Sequence, residues 1–170
     1  MIAILASVLL TNCRAQIPAD VELSGRVILR NRRGIVQQEF PYHLERKAGK
    51  TKLKLDEEAL KATDVTEEDL ALAYLWWDEV ESAGNEESET VNGQVCQTIL
   101  LKKGERRVKI WVDKKTGALM QAEEQREGKP YRRLWGTRLK KFGERWMANV
   151  LEVETLGSGH RTKITVETMK

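Results

Sequence analysis

Few side chains in this chain are placed to do chemistry. Acidic pairs stand at Glu67-Glu68 and Glu86-Glu87, but neither has a partner placed to form an acid–base or nucleophilic couple. Carboxylates at a helix start are expected from capping and the helix dipole alone. His43 and His160 are far apart, each without a ligand-spaced neighbour, so no metal is expected. There is no GxSxG, no phosphate loop and no paired cysteines for zinc. Cys96 sits in an apolar-rich strand pattern and reads as packing. The residues point away from an enzyme and call for no cofactor.

Cys13 is the exception. MIAILASVLLTNC is an uncharged apolar run, too short to span a bilayer and matched to the h-region of a secretory signal. Cleavage could follow Ala15. Alternatively Leu10-Thr11-Asn12-Cys13 looks like a lipobox, which makes Cys13 a candidate lipidation site and gives the chain a membrane contact. Asn12 stands where a small residue is usual and no basic n-region precedes the run, which leaves open an upstream start or a buried strand. The expected organisation is a signal or lipoprotein signal over 1–15 and a single domain over 16–170.

The elements that would position such residues are mostly strands. With 41% hydrophobic and 32% charged residues the chain reads as globular, not disordered. From Arg106 to Lys170 apolar residues recur every second position, as in Val108, Ile110 and Val112, with turn signals at Asp113–Gly117, Glu127-Gly128, Gly143-Glu144 and Gly157-Ser158-Gly159. That spacing predicts an antiparallel meander. Leu23, Gly25, Val27 and Leu29 form a first strand, turned at Asn31–Gly34, and Ile35–Leu44 returns as a second in which Pro41 demands an edge or a bulge. Lys50, Lys52 and Lys54 alternate with Thr51, Leu53 and Leu55, the pattern of an edge strand.

At Thr66 the period changes. Thr66 is placed to cap, three acids follow, and Leu70, Ala73, Tyr74 and Trp77 recur at helical spacing, so a helix is predicted through Trp77. Asp78 to Glu89 reads as an acidic loop. Residues 66–90 carry a net −9 and residues 91–170 a net +9, but basic residues of the strands alternate with Glu123, Glu124, Glu152 and Glu154, so a nucleic-acid surface is not expected. Pairing Val112 with Ala118 would set Ile110 opposite Met120, and a two-residue Glu127-Gly128 loop would set Met120 opposite Trp135 and Glu123 opposite Arg132. Ile110, Met120 and Trp135 would then share one row extending towards Val150. Trp111, Leu119, Leu134 and Leu151 would share the other face, so the second face must be covered or the sheet must curl around a cavity.

The order GQVCQTILLKK, VKIWVDKKTGALMQAEEQREGKPYRRLWG, then ERWMANVLEVETLGSGHRTKITV resembles the bacterial outer-membrane lipoprotein-sorting family, the Lol-type (LolA/LolB-like) carriers and receptors, and in particular an uncharacterised branch of it. The resemblance covers residues 63–170, with a looser match over Leu23–Phe40. It implies a mainly β, α+β fold: a curved antiparallel half-barrel whose concave face is covered by helices and receives acyl chains. It further implies a non-enzymatic protein of the periplasm or outer membrane of a Gram-negative bacterium, with lipoprotein or lipid acyl chains as partners. The candidate groove is then Leu72, Leu75 and Trp76 from the helix with Ile110, Met120, Trp135 and Val150 from the sheet. The alternative on the same fold is an envelope protein-interaction or sensor module with a closed core. The 47–63 interval is short beside the elements such proteins place there, so a reduced cavity is expected, and no position presents itself for the family's lid-locking arginine.

Overall fold

The structure is a computed structural model that describes residues 2–83, 88–158 and 161–170. His160, Glu86 and Glu87 lie outside the described residues, as does Gly159 of the last predicted turn. The apolar N-terminal run forms a helix, α1 (Ile2–Gln16), so the strand alternative does not hold. Leu10, Cys13 and Ile17 recur at i, i+3 and i+7 and point one stripe into the protein, where all three are buried in the main core.

Next come β1 (Val21–Arg30), β2 (Val36–Lys47) and β3 (Lys50–Lys54), then two short helices, α2 (Glu57–Ala62) and α3 (Glu67–Ala71). The rest is strand: β4 (Glu79–Ala83), β5 (Glu89–Val91), β6 (Gln94–Lys103), β7 (Arg106–Asp113), β8 (Leu119–Arg126), β9 (Lys129–Phe142), β10 (Arg145–Thr155) and β11 (Arg161–Met169). All eleven join one antiparallel sheet ordered β3-β2-β1-β11-β10-β9-β8-β7-β6-β4, with β5 beside β6. The ends, β3 and β4, do not meet, so the curved sheet stays an open half-barrel. From β6 to β11 each strand pairs with its successor, as the predicted meander requires. The non-sequential join is β1 with β11. It needs Gly25, where an added Cβ would stand 1.8 Å from the Thr165 carbonyl oxygen. Pro41 falls in the part of β2 beyond the reach of β3, which pairs only with His43–Lys47, so its missing N–H breaks no ladder there.

The helices cover the concave face and close the main core with Leu23, Val27, Leu44, Ile110, Val112, Leu134, Leu151 and Ile164 from the strands. The opposite face has its own small cluster of Val91, Cys96, Trp111, Ala118 and Met120. So part of the second face is covered, where the chain around β5 folds back and Asn92 donates to the Gly136 carbonyl. The acidic segment is strand at both ends, not a loop: Glu81 pairs with Arg107 and Glu89 with Lys109, both on β7.

Two expectations of detail are corrected. The helix capped by Thr66 does not run to Trp77: it stops at Ala71, Leu72 takes a left-handed conformation (φ 48°), and Ala73–Trp76 continues as a 3₁₀ turn. The register of β7 against β8 is also different. Val112 faces Leu119 but Trp111 faces Gln121 and Ile110 faces Ala122, which leaves Met120 as the extra residue of a bulge. A bulge reverses the side-chain alternation, so Leu119 joins the concave core with Ile110 while Met120 joins Trp111 on the other face. A second irregularity, between Glu124 and Gln125, sets Glu123 opposite Arg133 and Glu124 opposite Arg132. The two-residue Glu127-Gly128 turn is as predicted, with both residues at positive φ (52° and 73°).

Candidate functional site

The site begins with the polar residues that hold the helical layer down. Thr66 caps α3 by accepting from the Asp69 N–H at 3.3 Å, and the Asp69 carboxylate accepts from the Thr66 N–H at 2.8 Å. That carboxylate is buried, and it also receives both arms of the Arg132 guanidinium at 2.9 and 2.6 Å. Arg132 donates as well to the Asp64 carbonyl. Burial works against the charge on Arg132, and the Asp69 carboxylate more than offsets it, raising the arginine's pKa above its usual value. So β9 is bolted to the start of α3.

The other end of the layer is held through its carbonyls. Arg46 of β2, only 7% exposed, donates to the carbonyls of Ala19 at 2.7 Å, Ala71 at 2.5 Å and Pro18 at 2.9 Å. Burial pulls its pKa below the ordinary arginine value, with Asp20 acting in the opposite sense. Arg14 of α1 donates to the carbonyls of Leu75 at 2.6 Å and Trp77 at 2.9 Å, and its guanidinium lies 5.2 Å from the centre of the Trp76 ring. The Trp76 indole N–H returns a bond to the Ile17 carbonyl at 3.2 Å. Ala71, Leu75 and Trp77 present the carbonyls freed where α3 breaks into the 3₁₀ turn, and Ile17, Pro18 and Ala19 those of the segment after α1, so both chain breaks are satisfied.

Four of the seven predicted groove residues meet and three lie elsewhere. Leu72, Leu75 and Ile110 meet in the concave core, each 1% exposed or less, and Trp76 packs partly buried against them. Met120 lies in the opposite-face cluster. Trp135, beneath the Arg161 guanidinium at 5.3 Å, lines a cleft with Thr90, Asn92 and Gln121, away from the main core. Val150, half-buried beside Leu151, belongs to neither cluster. The bulge at Met120 turns that side chain away from Ile110, and the irregularity between Glu124 and Gln125 brings Leu134 rather than Trp135 into line with Ile110 through Ala122. Cys13 is fully buried against α3's layer, and burial pushes its thiol up to about 12. Burial likewise pushes the buried Cys96 thiol up to about 11.

Sequence reasoning missed Arg14, Arg46 and Arg132. A lone arginine inside an alternating strand is the one signal that could have exposed Arg46, because a buried position there must pair its charge. A cleft of about 380 Å³ opens beside this layer, lined by Asp64, Tyr74, Arg106, Arg126, Tyr131 and Arg132 among others. Among the described residues no group of histidine, cysteine and carboxylate side chains could hold a metal. No described helix is long and apolar enough to cross a membrane.

Comparison with known proteins places this geometry. A family model described only as an uncharacterised protein matches residues 50–170. No curated protein matches the sequence. Among solved structures, a LolA superfamily protein from Nitrosomonas europaea superposes with a TM-score of 0.72 at 13% identity, covering 97% of this chain and 92% of that one. A DUF1329 family protein from Desulfovibrio piger gives 0.71 at 18% identity, covering 98% and 91%. A putative outer membrane lipoprotein-sorting protein domain from Vibrio parahaemolyticus gives 0.64 at 15% identity, covering 96% and 90%. At these identities the likeness shows the fold.

Proposed function

We propose that this chain, which belongs to the uncharacterised family matched over residues 50–170 and has the LolA-superfamily fold, is a non-enzymatic cell-envelope protein that binds acyl chains. The chains would be those of lipids or lipoproteins, and the place of action the periplasm or outer membrane of a Gram-negative bacterium, in lipoprotein sorting. The observation that carries the reading is the way the concave face is closed. Its apolar wall, with Leu72, Leu75, Trp76 and Ile110, lies under short helical pieces held by six bonds to backbone carbonyls, three from Arg46, two from Arg14 and one from Trp76.

The magnitudes fit a layer that can open. Five of these bonds come from guanidinium groups, at about 1.5–3 kcal/mol each, and one from a neutral indole, at about 0.5–1.5 kcal/mol, so together they cost roughly 8–16 kcal/mol to break. An acyl chain of some fourteen methylenes returns about 11 kcal/mol on burial at roughly 0.8 kcal/mol per methylene. The exchange is near balance, as a reversible carrier needs. In this reading Arg46 is the lid-locking arginine, and acylation at the candidate Cys13 would require α1 to leave the core, since its thiol is fully buried.

A second reading has an observation of its own. Leu72, Leu75 and Ile110 are each 1% exposed or less, as in a closed core, and a closed core would make the protein an envelope interaction module that meets another protein. Titration with a fluorescent fatty acid separates the two. The acyl reading expects saturable binding that Trp76→Ala weakens while the circular dichroism spectrum is retained. No binding at all, with Trp76→Ala merely lowering the melting temperature, supports the interaction module.

A further inference from the structure

The charges that line the cleft of about 380 Å³ between α3 and strands β7 to β9 are almost all paired. Arg106 is bound to Glu68 and Glu124, Arg132 to Asp69, and Arg133 to Glu123. Among the described residues two lining charges have no ion pair, Asp64 and Arg126. Arg126 is exposed and lies 3.6 Å from the centre of the Tyr131 ring, which leaves its fork of donors open. Asp64 accepts one long bond, from the Thr155 N–H at 3.4 Å. Tyr74 lines the same cleft, is 5% exposed, and its buried hydroxyl has no hydrogen-bond partner. Buried polar groups are nearly always paired, so this hydroxyl is an open socket. Val108, Ala122 and Leu134 line the cleft and also belong to the main core, which makes its wall continuous with the apolar concave face.

We propose that this cleft is a headgroup site for a zwitterionic phosphate ester carrying a primary ammonium, of the phosphoethanolamine kind. The phosphate sits at Arg126, the ammonium at Asp64, and the Tyr74 hydroxyl donates to a phosphate or ester oxygen. One open charge of each sign is what selects a zwitterion: a purely anionic headgroup leaves Asp64 unpaired and repelling. A quaternary ammonium has no N–H to give the carboxylate, so a primary amine fits better than a choline. The cleft volume lies at the small end of ligand pockets, enough for a headgroup and not for a whole lipid. The inference rests on the acyl-binding reading for the source of the ligand, since the chains would pass from this mouth into the concave core.

Calorimetric titration of the full chain tests it with four probes: dihexanoyl phosphatidylethanolamine, its phosphatidylglycerol and phosphatidylcholine counterparts, and glycerophosphoethanolamine, which has no acyl chains. The ethanolamine lipid should bind about tenfold tighter than the other two, the worth of one charge-assisted bond. Asp64→Asn should erase that preference, Arg126→Gln should weaken all three lipids, and Tyr74→Phe should weaken the ethanolamine lipid about fivefold while leaving the fold intact, because its hydroxyl has no partner to lose. Equal affinities for the three lipids, unmoved by these substitutions, would overturn the headgroup site and leave the acyl reading standing. If glycerophosphoethanolamine binds as tightly as the lipid and responds to the same variants, the headgroup site holds and the acyl reading fails.

Discussion

Replacing Arg46 with methionine keeps an apolar stem and removes a guanidinium that donates to three carbonyls at 2.7, 2.5 and 2.9 Å. The three acceptors are not equal. Ala71 is 1% exposed, so its carbonyl finds no water once the arginine is gone, whereas Ala19 is exposed and Pro18 half-buried. An orphaned buried acceptor costs about 1–3 kcal/mol, and the two solvated carbonyls each lose about half of a charged bond's worth of about 1.5–3 kcal/mol. Against this, the guanidinium no longer has to be buried, a burden visible in its lowered pKa. The net expectation is a loss of about 2–4 kcal/mol. For a urea slope of about 2 kcal/mol/M this moves the unfolding midpoint down by roughly 1–2 M, read by tryptophan fluorescence. The same variant should admit a fluorescent fatty acid faster, since the layer over Leu72 and Leu75 is less firmly held. A midpoint within about 0.3 M of the parent would refute the reasoning on Arg46, and a lowered midpoint with unchanged uptake would make it a staple and no gate.

Asp69→Asn breaks the buried pair with Arg132, whose side chains are 5% and 13% exposed, and should cost about 3–5 kcal/mol in urea unfolding with little dependence on salt. Gly25→Ala drives a methyl to 1.8 Å from the Thr165 backbone and should cost at least about 3 kcal/mol by separating β1 from β11, measured as a lower melting temperature and loss of amide protection on both strands. The raised thiols give a pH dependence: burial pushes Cys13 up to about 12 and Cys96 up to about 11 from an ordinary thiol value of 9.0, so the folded state holds their protons longer than the unfolded. Stability contributed by the two thiols is therefore present below pH 9 and falls as pH rises towards 11–12, a decline in urea midpoint that Cys13→Ala with Cys96→Ala should flatten. Neither thiol should react with iodoacetamide at pH 8 before unfolding.

Strands were readable because alternation and turn chemistry are local. Lys50, Lys52 and Lys54 marked the edge strand, and Glu127-Gly128 marked a two-residue hairpin that the structure repeats. Register was readable only between bulges. Nothing in Leu119-Met120-Gln121 shows which of the three is the extra residue, because all three fit a strand and the choice is made by which face each side chain can pack. The helix from Thr66 was legible at its start, where the capping box is local, and not at its end, where Leu72 is turned by long-range bonds from Arg14 and Arg46 to the carbonyls around it. Those arginines could not be assigned for the same reason: their partners lie 61 and 25 residues away. Four of the seven candidate groove residues, Leu72, Leu75, Trp76 and Ile110, came together despite this, since each sits on an apolar face whatever the register of its neighbours.

The measurement that bears most directly on the central claim is native mass spectrometry of the full chain purified without detergent from a bacterial envelope. One acyl-bearing lipid mass per chain is expected, lost in Trp76→Ala while the charge-state distribution of the folded protein is kept. A bare chain, which also fails to take up short-chain lipid when titrated, would contradict it.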